Sequence, residues 1–226
     1  MKKILKLSAI ALLATSTSLM AQMTGPSVAV SVSHAKASTD GTQGGNTPAA
    51  SATVSRNFNI ASLDLDYSSK IDNSWLASVG VNYIPFKGKI GSETKVNDTD
   101  NRNDLGGTVT GNSTAKGELK NHFTVYVEPT YLINPTSGVY AKLGYMHADL
   151  KITDSVITGS SLNQTLGVHG IQYGVGYKAA VDKNVYVKAE LTYSNYSSLS
   201  ATSNSGNTFT ANPEIKAGTI SVGYTF

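Results

Sequence analysis

The feature that most constrains the fold of this 226-residue chain is a repeated alternation of apolar and polar residues. In the stretch "WLASVGVNY", Trp75, Val79 and Tyr83 share one side of an extended chain, and the serine and asparagine between them share the other. A period of two is the signature of a β-strand with one apolar face. The alternation recurs in segments that predict about eight strands, at residues 28–32, 61–67, 75–83, 123–131, 139–145, 171–177, 185–193 and 220–226.

The connections between these segments distinguish a barrel from a soluble sandwich, which alternation alone would also fit. Short turns are predicted at "SSKIDN", "NPTSG" and "DKN". Longer polar loops are predicted at residues 37–50, 87–120, 154–163 and 197–213. A regular alternation of long and short connections is typical of an up-and-down barrel with its short turns at one membrane face. We therefore predict an all-β, antiparallel, transmembrane β-barrel of about eight strands.

The amino terminus has the layout of a secretory signal peptide. Residues 1–21 read "MKKILKLSAIALLATSTSLMA", with three lysines, a short apolar stretch and small residues ending in alanine. We predict that this segment is cleaved and that residues 22–226 form the β-barrel domain. Beyond the segment there is no apolar run of about 18 residues that would predict a membrane-spanning helix.

Composition excludes several classes of function. Without the three lysines of the leader, 15 of the 18 basic residues remain against 15 acidic ones, and this balance argues against nucleic-acid binding. The absence of cysteine excludes disulfides, thiolate metal sites and a cysteine nucleophile. No Gly-rich stretch has the spacing of a nucleotide site, so we expect no cofactor.

The two faces of the predicted strands differ in chemistry. One face is uncharged and carries aromatic residues near strand ends, as expected of girdles at the lipid interfaces: Trp75, Tyr83, Phe123, Tyr131, Tyr145, Tyr193 and Tyr224. The other face carries charges among small polar residues and would line the lumen: Asp64, Glu128, Lys142, Lys188 and Glu190. We hypothesise that these five form a network of ion pairs and hydrogen bonds that plugs the lumen, with Glu128 opposite Lys142. The alternative is that some of them lie near strand ends in water.

Three segments carry a resemblance to a known family. The stretches "YGVGYKAAVDKNVYVKAELTYSNY" and "GVYAKLGYMHADL" and the carboxy-terminal "SVGYTF" resemble the small outer-membrane β-barrel domain of opacity-type and OmpX-like proteins of Gram-negative bacteria. The resemblance implies a bacterial outer-membrane location, contact with outer-membrane lipid, and assembly by the outer-membrane barrel assembly machinery. In that family the terminal aromatic residue is part of the assembly signal, which implies this role for Phe226, with Tyr224 in the same strand.

The resemblance implies location more sharply than function, because the family includes adhesins, protective surface proteins and proteins described as porins. An interior enclosed by about eight strands is just wide enough for side chains, whereas aqueous porins need roughly 16 to 18 strands. We therefore expect a structural and surface-interacting role, in envelope integrity or in contacts with host or neighbouring cells, through the loops at residues 37–50, 87–120 and 197–213. The alternative is a narrow porin-like channel for ions or small solutes.

Catalysis is the less favoured interpretation. Some small outer-membrane barrels are lipid A-modifying enzymes or proteases, but the contexts of His34, His122, His147 and His169 lack a His-x-Ser arrangement. The nearest approach is His122 with Thr124. We expect these histidines to be polar residues at the membrane interface, and we predict no catalytic residue and no enzyme activity.

One polar stretch could bind a cation. The sequence "NDTDNRND" at residues 97–104 crowds several oxygen donors, which divalent cations prefer. Arg102 falls where an EF-hand loop needs an oxygen ligand, so that pattern fails. The choice is between weak, nonspecific cation binding and a solvated loop, and we assign no metal site.

Overall fold

The computed structural model describes residues 23–44, 50–86, 88–102, 107–155, 161–202 and 208–226. The predicted signal peptide at residues 1–21 lies outside them. The described residues form ten strands: β1 (Gly25–Gly44), β2 (Ala50–Lys70), β3 (Trp75–Ile84), β4 (Gly88–Arg102), β5 (Gly107–Asn134), β6 (Ser137–Ser155), β7 (Ser161–Ala180), β8 (Val185–Tyr196), β9 (Leu199–Thr202) and β10 (Thr208–Thr225). No helix in this part of the chain is long and apolar enough to cross a membrane.

Eight of these strands close into an antiparallel barrel. Around the ring the order is β1, β2, β3, β5, β6, β7, β8 and β10, and each is hydrogen-bonded to the next. β1 and β10 complete the ring through a register that runs from Ser27 opposite Thr225 to Gly44 opposite Thr208. The predicted all-β, eight-stranded, antiparallel barrel is confirmed. Closure leaves no open sheet edge, whose backbone groups would find no water in a hydrocarbon core.

Short turns lie at one end of the barrel, where the sequence predicted them, at residues 71–74, 135–136 and 181–184. Local side chains hold two of them. The Asp72 carboxylate accepts a hydrogen bond from the backbone N–H of Trp75 at 2.9 Å, and the Asn134 side-chain oxygen accepts one from the N–H of Thr136 at 2.9 Å. Asx turns of this kind favour abrupt strand reversal.

At the other end, the strands continue through most of the residues that were predicted to be loops, at 37–50, 87–120, 154–163 and 197–213. β1 runs to Gly44, and β4 and β5 pair as a hairpin. The loop prediction was therefore wrong about conformation there. The physical reason is that a strand in water needs no apolar outward face. The backbone ladder can continue after the alternation of apolar and polar residues has ended.

Aromatic residues of the predicted girdles lie on the outside of the barrel. Their exposed fractions range from 36% for Tyr193 to 52% for Tyr145. Trp75 and Tyr131, directly opposite on β3 and β5, pack edge to face with ring centroids 5.2 Å apart. Between the girdles the outward residues are apolar and the inward ones are small or polar, as the sequence pattern predicts.

Phe226 lies at the seam where the barrel closes. Its backbone N–H donates to the carbonyl of Pro26 at 2.9 Å, next to the first pairs of the β1–β10 ladder. The side chain is 65% exposed on the lipid-facing side and packs 5.1 Å from the ring of Tyr224. The role of these two residues as a signal for the assembly machinery stays a prediction.

Three large tyrosines fill the narrow interior because each faces a glycine on a neighbouring strand. A Cβ atom added to each glycine would come within 2.2–2.7 Å of the tyrosine ring, a distance that real Cβ atoms do not show. The pairs are Tyr126 with Gly80, Tyr140 with Gly176, and Tyr186 with Gly223. The glycines therefore provide the space that the rings occupy.

This complementarity predicts a specific loss of stability. Replacing Gly176 by valine should lower the free energy of unfolding by about 1–3 kcal/mol, because the new side chain overlaps the ring of Tyr140. Urea unfolding in lipid vesicles, followed by the fluorescence of Trp75, measures the change. Gly167→Val is the matched control, since a Cβ there would lie at an ordinary 3.6 Å from His147. Equal urea midpoints for the two variants would refute the overlap.

Candidate functional site

Two ion pairs lie inside the lumen. The Nζ of Lys188 on β8 donates to the Glu128 carboxylate on β5 at 2.5 Å. The Nζ of Lys142 on β6 donates to both carboxylate oxygens of Glu190 on β8 at 3.1 Å. All four side chains are at most 8% exposed. Four of the five predicted lumen residues therefore meet inside the barrel, away from water at the strand ends.

The partners differ from the hypothesis, which paired Glu128 with Lys142. The register of β5 with β6 does place these two residues opposite each other. On the far side of Lys142, however, the neighbour on β7 is Gly174, which has no side chain. Lys142 can therefore reach over β7 to Glu190, and Glu128 is met from across the lumen by Lys188. Strand register does not reveal contacts of this kind, which skip a strand or cross the interior.

Asp64, the fifth predicted residue, lies in the lumen but outside the two pairs. It is 7% exposed. Its carboxylate accepts hydrogen bonds from the Ser31 hydroxyl at 2.6 Å and from the Asn82 amide at 2.9 Å. Hydrogen bonds to a carboxylate of this kind are stronger than those between neutral groups, and they compensate part of the cost of burying the charge.

Sequence reasoning missed two further charged residues of the lumen. Asp66 accepts hydrogen bonds from the hydroxyls of Ser27 at 2.7 Å and Tyr126 at 3.3 Å. Lys178 is 2% exposed, with its Nζ 4.2 Å from the centroid of the Tyr186 ring. The alternation could have revealed both residues. Asp66 is two positions after Asp64 on β2, and Lys178 is two positions after the inward-facing Gly176 on β7, so each lies on the inward face.

Tyrosine rings surround the two ion pairs. The Nζ of Lys142 lies 4.2 Å from the ring centroid of Tyr126, and that of Lys188 lies 4.5 Å from the centroid of Tyr140. The Tyr140 hydroxyl also donates to Glu190 at 3.1 Å. Cation–π contacts strengthen when they are removed from water. We call this layer the lumen belt; it consists of Glu128, Lys142, Lys188, Glu190, Tyr126 and Tyr140.

A small cavity lies on the outer side of the lumen belt, and apolar residues lie beyond it. The cavity measures about 80 Å³ and is lined by Asp64, Lys142 and Glu190 among others, so it has room for a few water molecules. An apolar cluster, which we call the outer cap, comprises Leu119, Met146, Ala148, Val168 and Tyr196. Leu119 and Tyr196 also line the cavity, so the cap adjoins it directly. The lumen therefore has an ionic layer and an apolar layer in series.

The histidines do not form a catalytic arrangement within the described residues. His122 is 6% exposed inside the lumen, and its Nε2 lies 2.9 Å from the Tyr196 hydroxyl. The prediction of an interfacial position was wrong for His122, because the outward position of Phe123 turns its neighbour inward. Thr124 Oγ1 and His122 Nδ1 have no hydrogen-bond partner among the described residues.

Metal binding has no support in the part of the chain that the structure describes. No group of three or more potential ligand side chains is found there. The cation hypothesis for residues 97–104 concerns side chains outside the described ones, and residues 103–104 lie wholly outside. It stays open.

Comparison with known proteins identifies the family. Residues 7–226 match the family described as Outer membrane protein beta-barrel domain. The chain belongs to this family. The resemblance inferred from the sequence is confirmed, and the bacterial outer membrane is the location of this barrel. No curated protein matches the chain.

Solved structures share the architecture at low sequence identity. The outer membrane protein OprG of Pseudomonas aeruginosa is 10% identical, with 92% of this chain and 100% of that chain covered and a TM-score of 0.51. Ail of Yersinia pestis, solved in complex with the heparin analogue sucrose octasulfate, is 15% identical, with 89% and 99% covered and a TM-score of 0.46. Neisserial surface protein A is 18% identical, with 89% and 97% covered and a TM-score of 0.39. At such identities the likeness concerns the fold alone.

The cross-lumen ion pair of this outer-membrane barrel makes a testable contribution to stability. Glu128→Gln should lower the free energy of unfolding by about 3–5 kcal/mol, because it leaves the Lys188 ammonium buried without a counter-charge. Lys188→Met in the same chain should restore much of the loss, since no isolated charge then remains. Urea unfolding in vesicles measures both effects.

The matched control is the surface pair of Glu118 and Lys120, whose side chains are 37% and 25% exposed at 3.6 Å. Glu118→Gln should change the free energy of unfolding by less than about 1 kcal/mol. A loss for Glu128→Gln no larger than that of the control would show that the buried pair carries no special weight.

Proposed function

We propose that this protein is a closed, non-enzymatic outer-membrane barrel that acts at the cell surface through the strands that continue beyond the membrane. The observation that carries the proposal is the two buried ion bridges inside the lumen, Lys188–Glu128 across the interior and Lys142–Glu190 over β7. A barrel filled in this way offers its outer surface, and little else, to partners. Its roles are accordingly envelope integrity and adhesion-type contact with host or neighbouring cells.

The barrier to transport is both electrostatic and steric. An ion on the barrel axis would have to separate bridges whose charges are held within 2.5–3.1 Å and sealed by tyrosine rings. It would then have to pass the outer cap, whose aliphatic side chains cannot replace the hydration shell of the ion. Either step alone opposes permeation, and the two lie in series.

The surface available to a partner is large compared with the membrane-spanning part. β3 has 10 residues, which matches the 9–11 residues of a typical tilted transmembrane strand. β5 has 28 residues, and its portion before Phe123 begins at Gly107. At about 3.3 Å per residue, that portion corresponds to roughly 50 Å of strand. With β4 it forms the longest extension among the described strands.

The absence of enzyme activity is part of the proposal. A Ser-His-acid mechanism needs a histidine oriented by a carboxylate and close to a nucleophile. His122 instead meets Tyr196, and the Nδ1 of His34 meets the amide oxygen of Asn59 at 2.9 Å. Among the residues that the structure describes, His147 lies 3.7 Å from the Asp149 carboxylate, and this contact is on the barrel exterior.

A narrow channel is the alternative function. Its support is the polar lining of the lumen, where Asp64, Lys142 and Glu190 border a cavity that can hold water. Such a channel would need the lumen belt to rearrange. The two functions make opposite predictions for the conductance of the folded protein.

The first experiment measures single-channel conductance in a planar bilayer. The refolded wild-type protein should be electrically silent, because the lumen belt and the outer cap block the axis. A heat-dependent gel shift establishes that the sample is folded, and a sixteen-stranded porin in the same bilayer establishes the sensitivity. Reproducible ohmic steps from the wild-type protein would overturn the closed-barrel proposal in favour of the channel.

The second experiment removes the long extension. Replacing residues 91–117 by an Asn-Gly turn should leave the gel shift unchanged, because the membrane part and Leu119 of the outer cap are retained. Adhesion of cells that display the protein to a cultured host-cell layer should fall at least tenfold.

The matched control keeps a hairpin of the same length but scrambles its sequence between residues 91 and 117. It distinguishes the loss of sequence-specific contacts from the loss of the hairpin's length. Unchanged adhesion by the shortened barrel would assign the contact to another part of the surface.

A further inference from the structure

A pair of lysines marks the outer rim of the barrel at its closing seam. Lys36 on β1 and Lys216 on β10 are directly opposite each other, and both are exposed on the outside. His34, one outward position closer to the membrane, is opposite Gly218. We call Lys36, Lys216 and His34 the basic seam.

The basic seam lies where the lipid-facing band ends. On β1 the two preceding outward residues are Val30 and Val32, which are 57% and 59% exposed. On β10 the outward residue beyond Gly218 is Ile220, at 61%. Tyr193, one of the predicted girdle residues, is opposite Lys216 on β8. The ammonium groups are therefore at the level where the headgroups of outer-leaflet lipids begin.

The charges of the basic seam are only partly compensated by the protein. Lysines directly opposite each other on neighbouring strands repel. Lys216 lies 3.5 Å from Glu214, whose carboxylate also accepts a hydrogen bond from the Tyr193 hydroxyl at 2.9 Å. Among the described residues Lys36 has no ion-pair partner, and His34 meets only the neutral amide of Asn59. The site therefore retains positive charge that an external anion would balance.

An apolar groove runs down the barrel wall from the basic seam. It is lined by His34, Lys36 and Lys216 at one end and by Val175, Leu191 and Gly218 along its length. Leu191 is 67% exposed and Val175 is 60% exposed. Gly218 has no side chain between His34 and Leu191, which leaves the floor of the groove open. Two cations above an apolar groove match the chemistry of a lipid with a phosphorylated headgroup.

We propose that the basic seam and this groove bind one phosphorylated lipid of the outer leaflet, with its phosphate between Lys36 and Lys216 and an acyl chain over Gly218. Ammonium groups bind phosphate as point charges, and the mutual repulsion of the two lysines is relieved by the anion. This site is independent of the partner that the long extension binds, since it lies in the membrane part of the wall. It would fix the seam, where the ring closes, to the lipid around it.

The test measures binding of diphosphoryl lipid A to the folded, full-length mature protein by native mass spectrometry. Changing both lysines to glutamine should weaken binding roughly thirtyfold, since each lysine near an anionic surface contributes about a fivefold factor. Lys36→Arg with Lys216→Arg should keep the affinity within a few fold because the charges remain. Lys70→Gln with Lys183→Gln, at exposed positions of the opposite end, is the control and should bind like wild type.

Two comparisons separate the sources of any signal. Lipid A from which both phosphates have been removed should bind at least tenfold more weakly than the diphosphoryl form, and inorganic phosphate should not compete at millimolar concentration. Equal binding by the glutamine variant and the wild type would overturn the proposal. Equal binding of dephosphorylated lipid A would also overturn it, because the groove alone would then account for the contact.

Discussion

The closure of the backbone hydrogen-bond ladder is the constraint on which the rest of the structure depends. Within hydrocarbon no water can satisfy an unpaired N–H or C=O group, so the first strand and the last must pair. Here β1 and β10 pair from Ser27 with Thr225 through Gly44 with Thr208. Closing after only eight strands fixes a narrow interior. Every inward side chain must then be small, or must have space left for it by a neighbour.

The interior meets this requirement through volume and charge together. Glycines leave room for the rings of Tyr126, Tyr140 and Tyr186, and those rings in turn surround the lysines. Four carboxylates and three lysines face the lumen among the described side chains, so the charges nearly balance. Buried ion pairs contribute little net stability when compared with apolar packing, but an unpaired member is costly. The arrangement therefore favours one packing of the lumen side chains over alternatives that would leave a buried charge without a partner.

The sequence predicted the parts of the fold that lipid dictates. Between the girdles every second side chain meets hydrocarbon, so alternation had to appear, and it located the strands around Trp75 and Phe123. Outside the membrane that requirement is absent, which is why the strand continuation of β5 back to Gly107 left no trace in the pattern. The inward face of Glu128 was also predictable from parity. The partner of Glu128 was not predictable, because Lys188 contacts it across the lumen. The register of neighbouring strands does not show such a contact.

The outer cap gives the barrel two interiors of opposite character. In the membrane-spanning part the polar residues are inside and the apolar residues face lipid. Around Met146 and Val168 the barrel instead has a hydrophobic core, as a water-soluble protein does. The two parts therefore obey different thermodynamics along one continuous set of strands. Hydrophobic burial against water weakens on cooling, and ion pairs sealed in the lumen do not share that dependence. Cooling therefore weakens the contribution of the outer cap to stability more than the contribution of the ion pairs in the lumen.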